Sequence, residues 1–160
     1  MITKIDEKYL ERAVELATQA LEKGDQPFGS VLVSEDGKIL FEDHNRVASG
    51  DHTQHPEFNI ARWSGQNMTE EERAASTVYT SGEHCPMCSA AHGLAGLGRI
   101  VYASSSVQLS EWLNEFGVER KTRTRSLSIE EVIINPIVYG PFERLSERIK
   151  AWHKQYYQVK

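Results

Sequence analysis

From residue 76 to residue 158 the chain changes its hydrophobic period again and again. "STVYTS" (76–81) is a β-branched and aromatic run, and "CPMCSAAHGLAG" (85–96) reads as a helix. "RIVYAS" (99–104) is a second apolar strand, followed by "VQLSEWLNEF" (107–116), a helix closed by Gly117. "VIINPIVYG" (132–140) reads as a third strand and "FERLSERIKAWHKQYYQ" (142–158) as the closing helix. Strands that alternate with helices this closely are joined by crossovers, and crossovers join parallel strands. This alternation limits the possible folds more than any other feature. It predicts three parallel strands with helices on both faces. Pro136 cannot donate to a ladder, which puts the last strand at an edge or gives it a bulge. The helix at 85–96 is small and apolar on most sides, which predicts a buried position. In the closing helix Leu145, Ile149 and Trp152 share one stripe.

The first half supplies the rest of the sheet. Residues 6–23 place Leu10, Ala13, Val14, Ala17 and Leu21 at helical spacing, and Gly24 ends that helix. "GSVLVS" and "KILFE" read as two short strands around the turn "EDG" (35–37), an antiparallel pair. Residues 54–65 read as a second helix with Pro56 in its first turn, where the missing N–H is not needed. "NMTEEERAAS" (67–76) is a polar turn or short helix. The expected fold is α/β: a three-layer α/β/α arrangement with a mixed five-stranded sheet, an antiparallel hairpin plus three parallel strands. No repeat or linker interrupts the chain, and 160 residues predict one domain over 1–160.

Charge and cysteine content narrow the function. Asp and Glu number 23 against 18 Lys and Arg, a net charge of −5, so nothing draws the whole molecule to nucleic acid or an anionic membrane. No stretch approaches the ~20 apolar residues of a membrane helix. The start "MITKIDEKYLERAVEL" lacks the apolar core of a secretion signal. These features predict a cytoplasmic protein with reduced thiols.

In that setting the two cysteines, Cys85 and Cys88, point to metal or redox chemistry. They stand where a strand hands over to a helix, and positions three apart share a helix face. The helix N-terminus favours thiolate over thiol. A structural zinc site usually takes four protein ligands, often from two such pairs, and there is no second pair. A thioredoxin-like pair would carry an aromatic signature that Glu83 and His84 lack. A catalytic zinc site needs three protein ligands and one open position, which two cysteines and a histidine would fill. Of six histidines, His92 shares a face with Cys88 and competes for the role; deep in a helix it is more often a pocket wall or a core residue. His84 adjoins Cys85 too closely for good geometry, and His153 is distant in sequence. His55 stands before Pro56, so it can be a non-helical cap whose ring turns toward a site that Glu57 also faces. The plainer alternative is a capping histidine beside a surface glutamate.

At this point the residues resemble a known family. His55-Pro56-Glu57, followed by Cys85-Pro86-Met87-Cys88, is similar to the H-x-E…P-C-x-x-C signature of the cytidine deaminase-like superfamily of zinc hydrolases. "PFGSVLV" resembles its P-x-G-A-V-x-V strand, "HNRV" its asparagine after the second strand, and "DHTQHPE" its D-P-T-A-H-A-E entry to the metal helix. "VYTSGEHCPMC" resembles V-Y-T-S-x-E-P-C-P-M-C. The resemblance covers 27 to about 103 and is closest to the guanine deaminase and tRNA adenosine deaminase branch. Pro56 stands where alanine is usual, and His52 and His84 where prolines are. The C-terminal third, from Val107 on, matches no branch closely.

The resemblance implies a Zn²⁺ cofactor held by His55, Cys85 and Cys88, with Glu57 as the catalytic proton carrier. It implies Asn45 as a substrate contact; Phe28 as a stacking partner, with His84 and His92 beside the pocket, completes the expected substrate set. Glu83 is a weaker pocket candidate, while Trp112 and Phe116 are core or pocket wall. The expected activity is hydrolytic deamination of a small free heterocyclic base, guanine-like first, by a homodimer without nucleic acid or membrane partners. Alternatives are a tRNA adenosine deaminase and a cytosine or triazine deaminase; outside deaminases, a zinc scaffold or a thiol redox protein. "ERKTRTR" (119–125) is a solvated loop or a phosphate contact. The tail 152–160 is a helix end or a flap.

Overall fold

The computed structural model describes residues 1–158. Its elements in chain order are α1 (Lys4–Glu22), β1 (Gly29–Val33), β2 (Ile39–His44), α2 (Pro56–Asn67), α3 (Glu70–Ala75), β3 (Thr77–Gly82), α4 (Pro86–Ala95), β4 (Arg99–Ser104), α5 (Ser106–Glu115), α6 (Ile129–Val132), β5 (Val138–Tyr139) and α7 (Glu143–Gln158). The five strands form one sheet in the order β2-β1-β3-β4-β5. β1 is antiparallel to both β2 and β3, while β3, β4 and β5 run parallel. This is the mixed sheet that the alternation of periods predicts.

Strand alternation divides the core into two. Val31, Val33, Tyr79, Val101 and Ala103 point to one face, where Leu10, Ala13 and Val14 of α1, Trp112 of α5, and Leu145 and Ile149 of α7 cover them. Leu32 and Val78 point to the other face, against Ile60 and Ala61 of α2, with Ala91 and Ala95 of α4 at the margin. The result is three layers, α/β/α. Gly29 permits the tight fit of the first: a Cβ there would lie 2.3 Å from the Ala13 carbonyl oxygen of α1. At the opposite end of the sheet Asp6 is buried, with Arg99 forking onto both of its oxygens at 2.8 and 2.7 Å and the Tyr79 hydroxyl donating at 2.7 Å.

Four local expectations differ from the structure. α1 begins at Lys4, because Thr3 and Asp6 close a capping box that fixes its start. The apolar run 132–140 holds only a two-residue strand, β5. Ser128 and Glu131 cap α6 through Val132, and Asn135 takes a positive φ of 49° just before Pro136. α4 is not enclosed: it buries Cys88, Ser89 and His92, whereas Leu94 is 90% exposed. On α7 the buried stripe runs Leu145, Ile149, His153 and Tyr156, with Trp152 only half-buried beside it. Val159 and Lys160 of the tail lie outside the described residues.

Candidate metal and active site

Two helices begin at the same place in the same way. His55 is the N-cap of α2, with extended backbone and Pro56 at the first helical position. Cys85 is the N-cap of α4, again followed by proline. Proline at N1 needs no hydrogen bond and fixes the chain's entry into the helix, so both cap side chains leave at a defined angle. α2 and α4 pack side by side on one face of the sheet, bringing their starts together. Cys88 lies one turn into α4.

The ligating atoms of His55, Cys85 and Cys88 all lie within 4.8 Å of one another. His55 Nδ1 is 3.5 Å from Cys85 Sγ and 3.6 Å from Cys88 Sγ. In a tetrahedral zinc site with Zn–N of ~2.0 Å and Zn–S of ~2.3 Å, the N···S edge is about 3.5 Å. One imidazole nitrogen and two sulfurs at these separations fit zinc in both spacing and donor type. The His55 ring also bonds the backbone of His52, which fixes its orientation.

Hydrogen bonds with Cys88 are the main force lowering the Cys85 thiol, down to about 4; burial opposes them and His55 assists. Cys88 moves the other way, raised by its bond with Cys85 and by burial. Cys85 thus favours its thiolate and Cys88 its thiol, and a cation bound between them would favour thiolate on both. Burial is the largest influence on His55 and lowers its pKa, but Cys85 and Glu57 together outweigh it and raise the net value.

Glu57 is the second helical residue of α2 and is buried beside the Cys88 thiol. Burial raises its pKa above the ordinary carboxylate range; the charge of His55 and hydroxyl bonds from Ser30 and Thr80 oppose it. Those two hydroxyls are the main feature that sequence reasoning missed. Their signal was faint: a polar residue at the same-face position as Leu32 in a five-residue strand that is buried throughout.

The other expected site residues fall into two groups. Asn45 and Phe28 lie where β2 ends and β1 begins, and the Asn45 N–H donates to the Phe28 carbonyl at 3.0 Å. Asn45 Oδ1 accepts from the Val47 N–H at 3.0 Å, so the side chain has N–H donors to offer a ring. Phe28 meets the His153 ring at 4.9 Å, and His153 in turn faces Trp112 at 6.2 Å. α7 therefore reaches this end of the sheet, which its distance in sequence concealed. His84 and His92 form the second group. Both are buried, their rings stand perpendicular at 5.3 Å, and His92 Nε2 bonds the Gly98 carbonyl at 2.8 Å. Burial holds both rings neutral. Glu83 spends its carboxylate on the first N–H groups of two helices, Ser106 of α5 at 2.9 Å and Ile129 of α6 at 3.1 Å. Trp112 is part of the core with Phe116 packed against it, and 119–125 is exposed throughout.

The family model for the cytidine and deoxycytidylate deaminase zinc-binding region matches residues 3–104. The chain belongs to this family of zinc-binding deaminases. A probable cytosine deaminase of Schizosaccharomyces pombe is 32% identical over 144 residues, which make up 88% of each chain. A guanine deaminase of Bacillus subtilis is 36% identical over 107 residues, covering 66% of this chain and 68% of the relative. A solved structure from work on A-to-I editing by tRNA:A34 deaminases has a TM-score of 0.62 at 25% identity, covering 91% of this chain and 97% of that one. As a deaminase of this family the chain carries its potential metal ligands at the starts of α2 and α4. No helix among the described residues is long and apolar enough to cross a membrane.

Proposed function

We propose that the chain is a zinc-dependent hydrolytic deaminase of a small free base, with a guanine-like aminopurine as first choice. The observation that carries this reading is the convergence of His55, Cys85 and Cys88 at zinc spacing, with the buried carboxylate of Glu57 against Cys88. Zinc held by His55, Cys85 and Cys88 would supply an activated water at neutral pH. Glu57 accepts the proton that this water gives up and delivers it to the ring nitrogen beside the amino-bearing carbon. The water oxygen bonds to that carbon, and Glu57 then takes the oxygen's remaining proton and gives it to the amino group, so that the C–N bond breaks, ammonia leaves and a carbonyl remains. Asn45 directs N–H donors at an acceptor on the ring. Phe28, braced from behind by His153, offers an apolar face for stacking. His84 and His92, the weaker pocket candidates, stand buried against each other near Cys85 and Cys88.

A second reading is cytosine, favoured by the Schizosaccharomyces pombe relative, whose match spans 88% of both chains and so extends into the C-terminal third. Acidic net charge disfavours a tRNA substrate, because duplex and stem contacts draw on many phosphates. The test is ammonia release from guanine, other aminopurines, cytosine, aminotriazines and an adenosine-bearing tRNA hairpin, with zinc content measured in parallel. Turnover of a free base, insensitive to salt, is expected. Turnover of the hairpin alone, falling steeply with salt, would overturn the free-base assignment.

The partner reading is a homodimer through the open face of α4. Leu94 is 90% exposed and Ile134 is 89% exposed, and the neighbouring Gly93 stands next to Ile133, so the two segments adjoin. Apolar side chains left this open favour a covering partner.

A further inference from the structure

Ser30 and Thr80 face each other across the β1–β3 register, and both are fully buried. Both stand on the α2 side of the sheet, beneath Glu57. Ser30 Oγ lies 2.8 Å from Glu57 Oε1 and 2.8 Å from Thr80 Oγ1, and Thr80 Oγ1 lies 3.1 Å from the same Oε1. Two hydroxyls from neighbouring strands thus close on one oxygen of the carboxylate. Thr80 Oγ1 also lies 2.9 Å from the Gly82 carbonyl, an alternative acceptor for its single proton, where β3 passes into the loop that carries Cys85.

A serine is costly to bury in a strand otherwise made of Gly, Val and Leu unless its hydroxyl is used. Here its bonds go to Glu57 and Thr80. A glutamate side chain has three rotatable bonds, and a proton carrier must stay within hydrogen-bond reach of both donor and acceptor. A displacement of ~1 Å is enough to cost ~100-fold in rate. We infer that Ser30, with Thr80, is a positioning residue for this deamination: the hydroxyl pair pins Oε1 and so sets the rotation of the carboxylate. The inference rests on Glu57 being the proton carrier.

The experiment uses the zinc-loaded full chain and the best base from the ammonia screen. Ser30→Ala suits a buried strand and removes only the hydroxyl. It is expected to lower kcat by about 10-fold or more while KM stays within about 2-fold and zinc per chain is unchanged. Thr80→Val should act in the same direction, and Thr80→Ser, which keeps the hydroxyl, should restore most of kcat. A second readout needs no substrate. Tm is measured for Ser30→Ala, Glu57→Gln and the double variant, and the single shifts should fail to add because the residues share one bond. Unchanged kcat in Ser30→Ala, with Glu57→Gln inactive, overturns the positioning role and leaves the proton carrier standing. Near-normal turnover in Glu57→Gln overturns the carrier itself. Additive Tm shifts overturn the bond as a working contact.

Discussion

Burial and charge pull on Glu57 in opposite directions, and that tension suits a group that must both take and give a proton. Enclosure favours its neutral form, while His55 and the hydroxyls of Ser30 and Thr80 favour the ionised one. Glu57→Gln keeps shape and size but cannot accept a proton. It should retain zinc and lose about 10²–10⁴-fold in kcat, measured by ammonia release alongside metal analysis. Cys85 sits differently, because its low thiol pKa makes it a ready ligand. Cys85→Ser should lose most zinc at neutral pH, read by competition with a chromogenic chelator. At this scale the three potential ligands were legible in the sequence, through the Cys-x-x-Cys spacing and the resemblance of His55-Pro56-Glu57 to a known motif. Ser30 and Thr80 were not, since they are 50 residues apart and become partners only through strand register.

Among the elements, the first strand sits against the first helix because Gly29 has no side chain. Gly29→Ala would push a methyl into the backbone of α1, which is flanked by Ala13 and Ala17 at this point. The expected loss is about 2 kcal/mol, measured by urea unfolding, with activity reduced as well because Ser30 is the next residue. At the other end of the sheet, Asp6 is subject first to burial, which raises its pKa. Arg99, Tyr79 and Thr3 together outweigh that and hold it well below the carboxylate range. Arg99→Ala would leave a buried carboxylate without its cation, at a cost of about 3 kcal/mol. The stability that Asp6 contributes is present above its unfolded pKa and is lost as pH falls below it. Helix and strand order was legible because hydrophobic period is a local property. The shortness of β5 was not: a β-branched run looks like a strand wherever it stands, and here a capping box and a left-handed Asn135 cut it short.

In the whole molecule α7 folds back to place His153 against Phe28. Burial, with the charge of Arg120 as a lesser cause, lowers that histidine to about 3. The unfolded chain takes up its proton near pH ~6.5, so between about 6.5 and 3 the unfolded state binds more protons. Stability then falls by ~1.4 kcal/mol per pH unit from this residue. His153→Phe should flatten that acid slope by the same amount, read from urea unfolding at pH 6.5, 5.5 and 4.5. Light scattering checks the open α4 face: a dimer is expected, and Leu94→Glu should yield monomers. Removing zinc with a chelator should lower Tm by about 5–10 °C, since a ligand that binds only the folded chain stabilises it by mass action. The sequence alone determined the layers, the mixed sheet and the three potential metal ligands with their carboxylate, because each rests on local hydrophobic period or on short motifs that resemble those of a known family. Only the tertiary structure decided which hydroxyls hold Glu57, which ring backs Phe28 and which helix face is left open. Those contacts join residues far apart in the chain, and they are set by packing, which leaves no local pattern to read.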